Sequence, residues 1–213
     1  LEQDIRIVRA VRQELGKDFV VMTDANQGYS LDVGCDAAAA FADCGVFWLE
    51  EPFFVEDIEG HAALREKTKM PIAVGENLNT HFAFENFIVR GAVDFIQPDV
   101  ARAGGITEIV KITALAARHN VPVSFHTWGD GVALGASVHL AAALKDCIVM
   151  ELDYTYNPLR EELLRQPFQV ENGYLTPPEK PGLGIELDQN ALGRFAFSGV
   201  EEIAVRQKTL GAA

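Results

Sequence analysis

Six polar residues that could carry acid–base or metal chemistry recur along the chain at nearly constant intervals. Successive members are 26, 26, 23, 27 and 25 residues apart, and each stands at or just beyond the end of a short apolar run. Such an interval fits one strand followed by one helix, so the pattern predicts that six strand ends deliver these side chains to one place. The six residues are Asp24, Glu50, Glu76, Asp99, His126 and Glu151.

The first three of these residues have the chemistry of a site for a hard cation. Asp24, Glu50 and Glu76 would offer only oxygen ligands, which Mg²⁺ prefers while it keeps waters or substrate oxygens in its open positions. Without a cation, three converging carboxylates would repel one another. The alternative is that each belongs to a separate loop and forms its own salt bridge. The equal spacing favours the Mg²⁺ site.

Asp99 and His126 follow the next two predicted strands. A carboxylate beside an imidazole orients the ring and raises its pKa, which would make His126 a general base. The alternative for His126 is a histidine whose hydrogen bonds are satisfied within the core. Glu151, on the last predicted strand, would donate a hydrogen bond to an oxyanion if it stays protonated, or would form an ion pair.

The elements that must position these residues alternate regularly through residues 1–151. Short β-branched or aromatic runs, typical of strands buried on both faces, alternate with helical patterns. Gly45, Gly91 and Asn120 each follow a helical pattern, as left-handed C-terminal caps do. Thr107 and Asp130 are suited to begin helices as N-caps. The predicted strands are 19–23, 46–49, 72–75, 93–97, 121–125 and 148–150.

Alternating strands and helices with functional residues at the strand ends are typical of an α/β fold, the (β/α) barrel. We expect residues 1–153 to form barrel units that carry the metal site. Residues 154–213 are expected to be an irregular tail, because five prolines lie between positions 154 and 184 and proline interrupts helices and central strands.

The composition excludes several other classes of protein. The 213 residues carry 18 Lys and Arg against 31 Asp and Glu, a net charge of −13, which argues against a nucleic-acid partner. The most apolar stretch, 132–144, is shorter than the ~18 residues of a membrane span. Cys35, Cys44 and Cys147 form no metal-binding pair, and no export signal opens the chain. A cytoplasmic protein with reduced thiols is therefore expected.

The motifs around the six residues resemble those of the enolase superfamily, and within it the mandelate racemase subgroup of acid-sugar dehydratases and racemases. The resemblance covers nearly the whole chain. The family's three Mg²⁺ ligands fall on the three carboxylates named above, its His–Asp dyad on His126 and Asp99, and its enolate-stabilising glutamate on Glu151. The matching motifs are TDANQ at 23–27, WLEEP at 48–52, GEN at 75–77, QPDVARAGG at 97–105, SFH at 124–126 and MELD at 150–153.

The resemblance also implies a reaction and a substrate class. Mg²⁺ would hold the carboxylate of a 2-hydroxy sugar acid, His126 would remove its α-proton, and Mg²⁺ with Glu151 would stabilise the enediolate. Loss of a β-hydroxyl as water would make the protein a Mg²⁺-dependent hydro-lyase, an acid-sugar dehydratase. The stretch SFHTWGDGVALGASVHLAAAL looks more like that of the dehydratases than that of the racemase.

Two alternatives stay open. Return of the proton would make the protein a racemase or epimerase of a 2-hydroxy acid, and a truncated barrel would be catalytically inactive. Asn26 matches a family residue that touches the substrate, and Arg102 matches a basic residue near the dyad. Each could equally support a neighbouring side chain. A homo-oligomer is also expected.

Part of the family pattern is not found in this sequence. The family's K-x-K strand, whose last lysine is the base on the opposite face of the substrate, would precede Leu1, as would the first strand and the capping domain. The chain also opens without Met inside a helical pattern. We therefore expect an incomplete barrel with the equivalents of strands 3–8. Lys67 and Lys69 form a K-x-K sequence before strand 72–75, and we place them at the opposite end of the barrel.

Three further side chains are assigned by periodicity. Glu51 directly follows Glu50 and should point to the opposite side of the strand, so it is left outside the ligand set. His61 is expected on the exposed surface of a helix, and His139 is expected in the core.

Overall fold

The computed structural model, which describes residues 1–197, contains a parallel six-stranded sheet. Its strands are hydrogen-bonded in sequence order, and every neighbouring pair is parallel. This order arises in a (β/α) barrel because each helix returns the chain to the start of the next strand. The strands are β1 (Val21–Asp24), β2 (Val46–Glu50), β3 (Ile72–Val74), β4 (Phe95–Ile96), β5 (Val123–Phe125) and β6 (Cys147–Met150).

The helices lie between the strands, and all six predicted strands are confirmed. One helix precedes β1, two connect β4 to β5, one fills each other connection, and two short helices follow β6. The fold class predicted from the sequence is therefore confirmed. The helices are α1 (Glu2–Leu15), α2 (Leu31–Asp43), α3 (Ile58–Lys67), α4 (Thr80–Val89), α5 (Val100–Ala103), α6 (Ile106–Arg118), α7 (Gly131–Ala143), α8 (Pro158–Glu161) and α9 (Gln189–Phe195).

Most helix boundaries follow the predicted signals. Gly45, Gly91 and Asn120 have φ angles of 66°, 64° and 56°, the left-handed conformation that ends a helix. The carboxylate of Asp130 accepts hydrogen bonds from backbone N–H groups in the first turn of α7. The predicted Thr107 N-cap is wrong, because Thr107 already lies inside α6.

The sheet curls, so that its first and last strands face one cavity. Met22 and Asp24 of the first strand line a cavity of about 190 Å³ together with Val149 of the last strand and Glu151, which follows it. The core packs between the outer side of this curl and the helices. The result is a half-barrel rather than a flat sheet.

The edge strands depart from the predicted burial on both faces. All residues of β3 and β5 are buried, but Ile148 and Val149 on β6 are 49% and 41% exposed. Within residues 1–197, no strand pairs with the outer edge of β1 or β6. The apolar sequence of an edge strand therefore did not predict its burial.

The expectation for His61 is wrong. Its ring is fully buried and lies edge-on to Phe53 and Phe87, with centroid distances of 5.1 and 5.2 Å. The buried face of α3 consists of Gly60, His61 and Leu64. This face lacks an apolar stripe, so periodicity could not locate it. His139 is half-buried, and its Nε2 lies 3.2 Å from the carbonyl oxygen of Leu183.

The part of the predicted tail that the structure describes, 154–197, folds against α7. Its regular structure consists of α8, α9 and two isolated bridges. A Cβ atom added at Gly131 would lie 2.7 Å from Cγ of Leu164, and one at Gly135 would lie 3.4 Å from the ring of Phe168. Small residues on α7 thus admit the tail. Residues 198–213 of the predicted tail lie outside the described residues, and among residues 1–197 no helix has the length and apolarity of a bilayer span.

Candidate active site

The carboxyl ends of the six strands meet at one rim of the half-barrel. Parallel strands in sequential order put every strand end on the same side, so residues about one strand–helix unit apart become neighbours. The two lysines of the K-x-K sequence lie at the other end, because Lys67 ends α3 and Lys69 precedes β3. At the rim, Asp24 and Glu50 end β1 and β2, Glu76 lies one residue beyond Gly75 after β3, Asp99 precedes α5, and His126 and Glu151 follow β5 and β6.

Gly75 controls the position of Glu76. A Cβ atom at residue 75 would lie 2.6 Å from the backbone nitrogen of Gln97, closer than any side chain tolerates. The same nitrogen donates a 3.0 Å hydrogen bond to the carbonyl oxygen of Val74. Only glycine therefore permits β3 and the segment after β4 to approach closely where Glu76 leaves the sheet.

Asp24, Glu50 and Glu76 converge at the rim. One carboxylate oxygen of each lies within 4.8 Å of those of the other two. Burial raises the pKa of Glu50 to about 8, against a lowering hydrogen bond from Gln97, and the charges of neighbouring carboxylates raise it further. The pKa of Asp24 is also raised, by loss of hydration and by Glu76, although the backbone N–H of Asn26 donates to it over 2.7 Å.

This donor set fits a divalent metal ion. Three carboxylate oxygens from three successive strand ends stand close together, and burial, followed by the charges of neighbouring carboxylates, raises the pKa values of Asp24 and Glu50, so their ionised forms are disfavoured without a cation. A hard dication would stabilise the ionised forms and match all-oxygen ligands. The three residues predicted as ligands are thus brought together by the fold.

His126 and Asp99 form a buried pair. His126 is 3% exposed, its Nδ1 lies 2.7 Å from Oδ2 of Asp99, and its Nε2 lies 3.1 Å from Oε2 of Glu76. Burial acts to lower the pKa of His126, but the hydrogen bonds to Asp99 and Glu76 outweigh it and raise the pKa to about 10. Burial acts to raise the pKa of Asp99, but the hydrogen bonds from His126 and from the backbone N–H of Ala101 outweigh it and hold this pKa below its usual value.

Glu151 stands across the rim from the carboxylate group. Its Oε2 lies 3.7 Å from Nε2 of His126 and accepts a 3.2 Å hydrogen bond from the backbone N–H of Thr127. Loss of hydration raises the pKa of Glu151, while His126 opposes this shift. The side chain of Glu151 is 41% exposed, so it faces the mouth rather than the core.

The two predicted substrate contacts lie near the site in different ways. Asn26 has a left-handed φ of 42° and its backbone N–H binds Asp24, while its side chain is exposed. Arg102 is exposed on α5, its backbone N–H donates to Asp99 over 3.2 Å, and Nη1 of its guanidinium donates to Oδ1 of Asn77. Both residues therefore contact a site residue or its immediate neighbour.

Glu51 directly follows the end of β2, and its backbone has a left-handed φ of 33°. Its N–H still donates a 3.0 Å hydrogen bond to the carbonyl oxygen of Ala73 on β3. Its fully buried carboxylate accepts hydrogen bonds from Gln27 and Asn77. Glu51 is nevertheless absent from the converging ligand group among the described residues.

Sequence reasoning missed several side chains that contact the site. They lie inside the motifs singled out by the sequence, but the motifs alone do not say which side chain touches which neighbour. Gln97 lines the same cavity as Glu50, and Asn77 contacts both Glu76 and Glu51. Asn77 directly follows Glu76, and Gln97 lies two residues before Asp99. This closeness in sequence to predicted site residues was the signal that could have identified both amides.

The fold and these strand-end residues are those of an incomplete (β/α) barrel with an acidic mouth, and comparison with known proteins gives its family. The family described as "Enolase C-terminal domain-like" matches residues 1–191, and the chain belongs to it. Its relatives confirm the assignment to the enolase superfamily and the mandelate racemase subgroup.

Individual relatives are sugar-acid enzymes. D-galactarolactone cycloisomerase of Agrobacterium fabrum is 37% identical over 203 residues, which cover 92% of this chain and 54% of that protein. The structure of 3,6-anhydro-D-galactonate cycloisomerase from Zobellia galactanivorans matches with a TM-score of 0.86 and 38% identity, over 91% of this chain and 55% of that one. L-talarate dehydratase from Polaromonas sp. JS666, complexed with Mg and L-glucarate, matches with a TM-score of 0.79 and 32% identity, over 90% and 51%.

Other curated relatives are dehydratases of arabinonate, D-xylonate and D-gluconate. The chain spans about half the length of the curated relatives it matches.

Proposed function

We propose that this protein acts on an acid sugar by Mg²⁺-dependent β-elimination, with His126 removing the α-proton of a 2-hydroxy carboxylate and water as the leaving group. The observation that carries this proposal is the orientation of His126. Its Nδ1 is held by Asp99, and its Nε2 faces the group formed by Asp24, Glu50 and Glu76. The sugar-acid enzymes among its relatives support the same substrate class.

Asp99 determines which ring nitrogen does the chemistry. Because the Nδ1–H group donates a hydrogen bond to the Asp99 carboxylate, Nε2 is the atom that would receive a proton from the substrate. A Mg²⁺ ion held by Asp24, Glu50 and Glu76 would stabilise the negative charge that develops on the substrate carboxylate. The C–H electrons then form the enolate, and its collapse breaks the bond to the β-oxygen. The departing hydroxide takes the proton from Nε2 and leaves as water.

Glu151 would stabilise the negative charge that develops on the substrate, together with the metal ion. A carboxyl with a raised pKa can keep its proton and donate a hydrogen bond to an enolate oxygen. Arg102 is an exposed cation beside the site in a chain of net charge −13, and we propose that it attracts the acid sugar. Asn26 is proposed as a further contact at the Asp24 side of the mouth.

A second candidate is ring opening by the same chemistry. Two of the relatives, at 37% and 38% identity, are cycloisomerases of a sugar lactone and an anhydro sugar acid. In this case, the β-leaving group is a ring oxygen instead of a hydroxyl, and His126 performs the same proton abstraction. A racemase would require a second base on the opposite face of the substrate.

The test separates these reactions. Acid sugars and their lactones are incubated with the protein and Mg²⁺ in D₂O, and NMR follows both exchange of the α-proton and the products. We expect 2-keto-3-deoxy acids; ring-opened products alone would establish the cycloisomerase, and α-exchange with inversion would establish a racemase. His126→Asn should abolish exchange, whereas the exposed His119→Asn control should not. Mg²⁺ binding without exchange on any substrate would favour the inactive barrel.

Three broader predictions accompany this proposal. We propose that residues 154–213 form a tail that closes the barrel beside a capping domain; packing of residues 154–197 on α7 supports the first half of this statement. A homo-oligomer and a cytoplasmic location stay predictions.

A further inference from the structure

Glu51 is a buried carboxylate for which the proposed reaction has no use. Its side chain is fully buried, and its Oε2 accepts hydrogen bonds from Nε2 of Gln27 over 3.1 Å and from Nδ2 of Asn77 over 2.7 Å. Its Oε1 is buried without a hydrogen-bond partner. Burying a carboxylate with one unsatisfied oxygen destabilises a fold unless other interactions compensate, so the position calls for a functional reason.

The contacts of Glu51 join three strand ends. Gln27 follows β1, Glu51 follows β2 and Asn77 follows β3. The backbone adds two further hydrogen bonds. The N–H of Gln27 donates to the carbonyl oxygen of Glu51 over 2.7 Å, and the N–H of Glu51 donates to the carbonyl oxygen of Ala73 over 3.0 Å. Gln27 and Glu51 both have left-handed φ angles, 62° and 33°. Such conformations are uncommon outside glycine and gather at functional sites.

Asn77 connects Glu51 to two residues of the candidate site, Glu76 and Arg102. Its Nδ2 donates to Glu51 and also to Oε1 of Glu76 over 3.0 Å, while its Oδ1 accepts from the guanidinium of Arg102. The two ends of the amide are not interchangeable here. A reversed amide would set its oxygen against two carboxylates and its NH₂ group against a guanidinium.

We propose that Glu51 is a positioning residue that fixes the orientation of the Asn77 amide, and through it holds Glu76 and Arg102 in place for the metal ion and the substrate. The expected effect of Glu51 on Mg²⁺ binding rests on the proposed function, because that function places the metal ion at Glu76. Glu51 touches neither reacting atoms nor the ligand group. It acts because its carboxylate can only accept hydrogen bonds, and this leaves the Asn77 oxygen for Arg102.

The variant Glu51→Met tests this role. Methionine is about as long as glutamate but offers no oxygen to the amide NH₂ groups of Gln27 and Asn77, whereas glutamine would keep one acceptor oxygen. We expect the dissociation constant for Mg²⁺, measured by calorimetry on the full chain, to rise about 10–100-fold, as for other groups that orient metal ligands. We also expect the Tm of the metal-free chain to change by only a few degrees. The exposed Glu56→Met supplies a control with the same change in charge and should leave both values unchanged.

A double-mutant cycle distinguishes positioning from packing. If Glu51 acts through Asn77, Glu51→Met should weaken Mg²⁺ binding no further in an Asn77→Ala background. Additive effects, or a fall in Tm that parallels the loss of Mg²⁺ affinity, would overturn the inference. Should Glu51→Met not fold, Glu51→Asp takes its place, because the shorter carboxylate cannot reach both amides and should also weaken Mg²⁺ binding.

Failure of the proposed function is recognisable separately. A wild-type chain that binds no Mg²⁺ contradicts the metal site, and a crystal structure of Glu51→Met then decides the inference by itself. The amide of Asn77 should turn away from Glu76 and Arg102 in that structure. An unmoved Asn77 would refute the positioning role.

Discussion

Nε2 of His126 lies 3.1 Å from Oε2 of Glu76, so the proposed base is hydrogen-bonded to a proposed metal ligand. Without a metal, the imidazolium of His126 provides the positive charge that the acidic rim lacks, and its pKa is raised to about 10. A base must be neutral before it can accept a proton. The same contact that stabilises the metal-free rim therefore keeps His126 in the wrong protonation state for catalysis.

Mg²⁺ should consequently lower the pKa of His126. Once an ion neutralises Glu76, the attraction between the carboxylates and the imidazolium weakens. Titration of His126 by NMR, with and without saturating Mg²⁺, should show the lower pKa in the metal-loaded chain. The exposed His119 provides an internal control that should not shift. Equal pKa values of His126 in both states would contradict the proposed ligand role of Glu76.

The stability of the metal-free chain should fall as the pH rises from about 5 to 10. Glu50 has an ordinary pKa of 4.5 and a folded value of about 8, and His126 has 6.5 and about 10. In both cases the folded chain holds its proton more tightly, so the stabilisation is complete below the ordinary pKa and is lost through the folded one. Glu76 and Asp99, whose pKa values are lowered, stay ionised in both states over this range.

Urea denaturation at several pH values measures this trend. Added Mg²⁺ should reverse it, because an ion binds ionised carboxylates, and saturation at 100 times the dissociation constant adds about 2.7 kcal/mol. A metal-free chain equally stable at pH 5 and pH 9 would show that these buried groups are not perturbed as described.

Asp99→Asn should impair His126 as a base while the protein still folds. Asp99 is the N-cap of α5 and accepts from the N–H groups of Ala101 and Arg102; asparagine caps helices about equally well. The lost charge, however, frees His126 to adopt the wrong tautomer, for which about a 10⁴-fold loss of kcat has precedent in a hydrolytic triad. Exchange of the substrate α-proton measures this effect. Asp36→Asn, an exposed control, should keep full activity.

Gly75→Ala should reduce both stability and metal binding. The added Cβ would lie 2.6 Å from the backbone nitrogen of Gln97, so β3 must move and carry Glu76 with it. Overpacking of this kind costs about 1–3 kcal/mol of unfolding free energy, measurable by urea denaturation. Gly193→Ala in α9 is the matched control, because a Cβ there meets nothing within 4 Å. A fully stable Gly75→Ala chain with unchanged Mg²⁺ affinity would refute the close-approach argument.

The amino-acid sequence by itself determined the strand order and the identity of the rim residues. Strand–helix alternation has a fixed period, and parallel strands in sequence order must put their ends together, so the positions of Asp24, Glu50 and Glu76 followed from spacing alone. Residue chemistry likewise indicated a general base at His126 beside Asp99 and an oxyanion contact at Glu151, and the resemblance to a known family then implied the reaction. The structure brings these residues to one rim, and their roles remain proposals.

Only the tertiary structure decided the local backbone conformation at the strand ends and the burial of individual side chains. The left-handed backbone at Glu51 and the complete burial of its carboxylate could not be predicted from the strand pattern. Burial of His61 and exposure of Ile148 likewise depended on which neighbours the fold supplies. Periodicity reports only the average face of an element, whereas the contacts among Glu51, Asn77 and Arg102 arise between loops far apart in sequence, and only folding brings them within hydrogen-bonding distance.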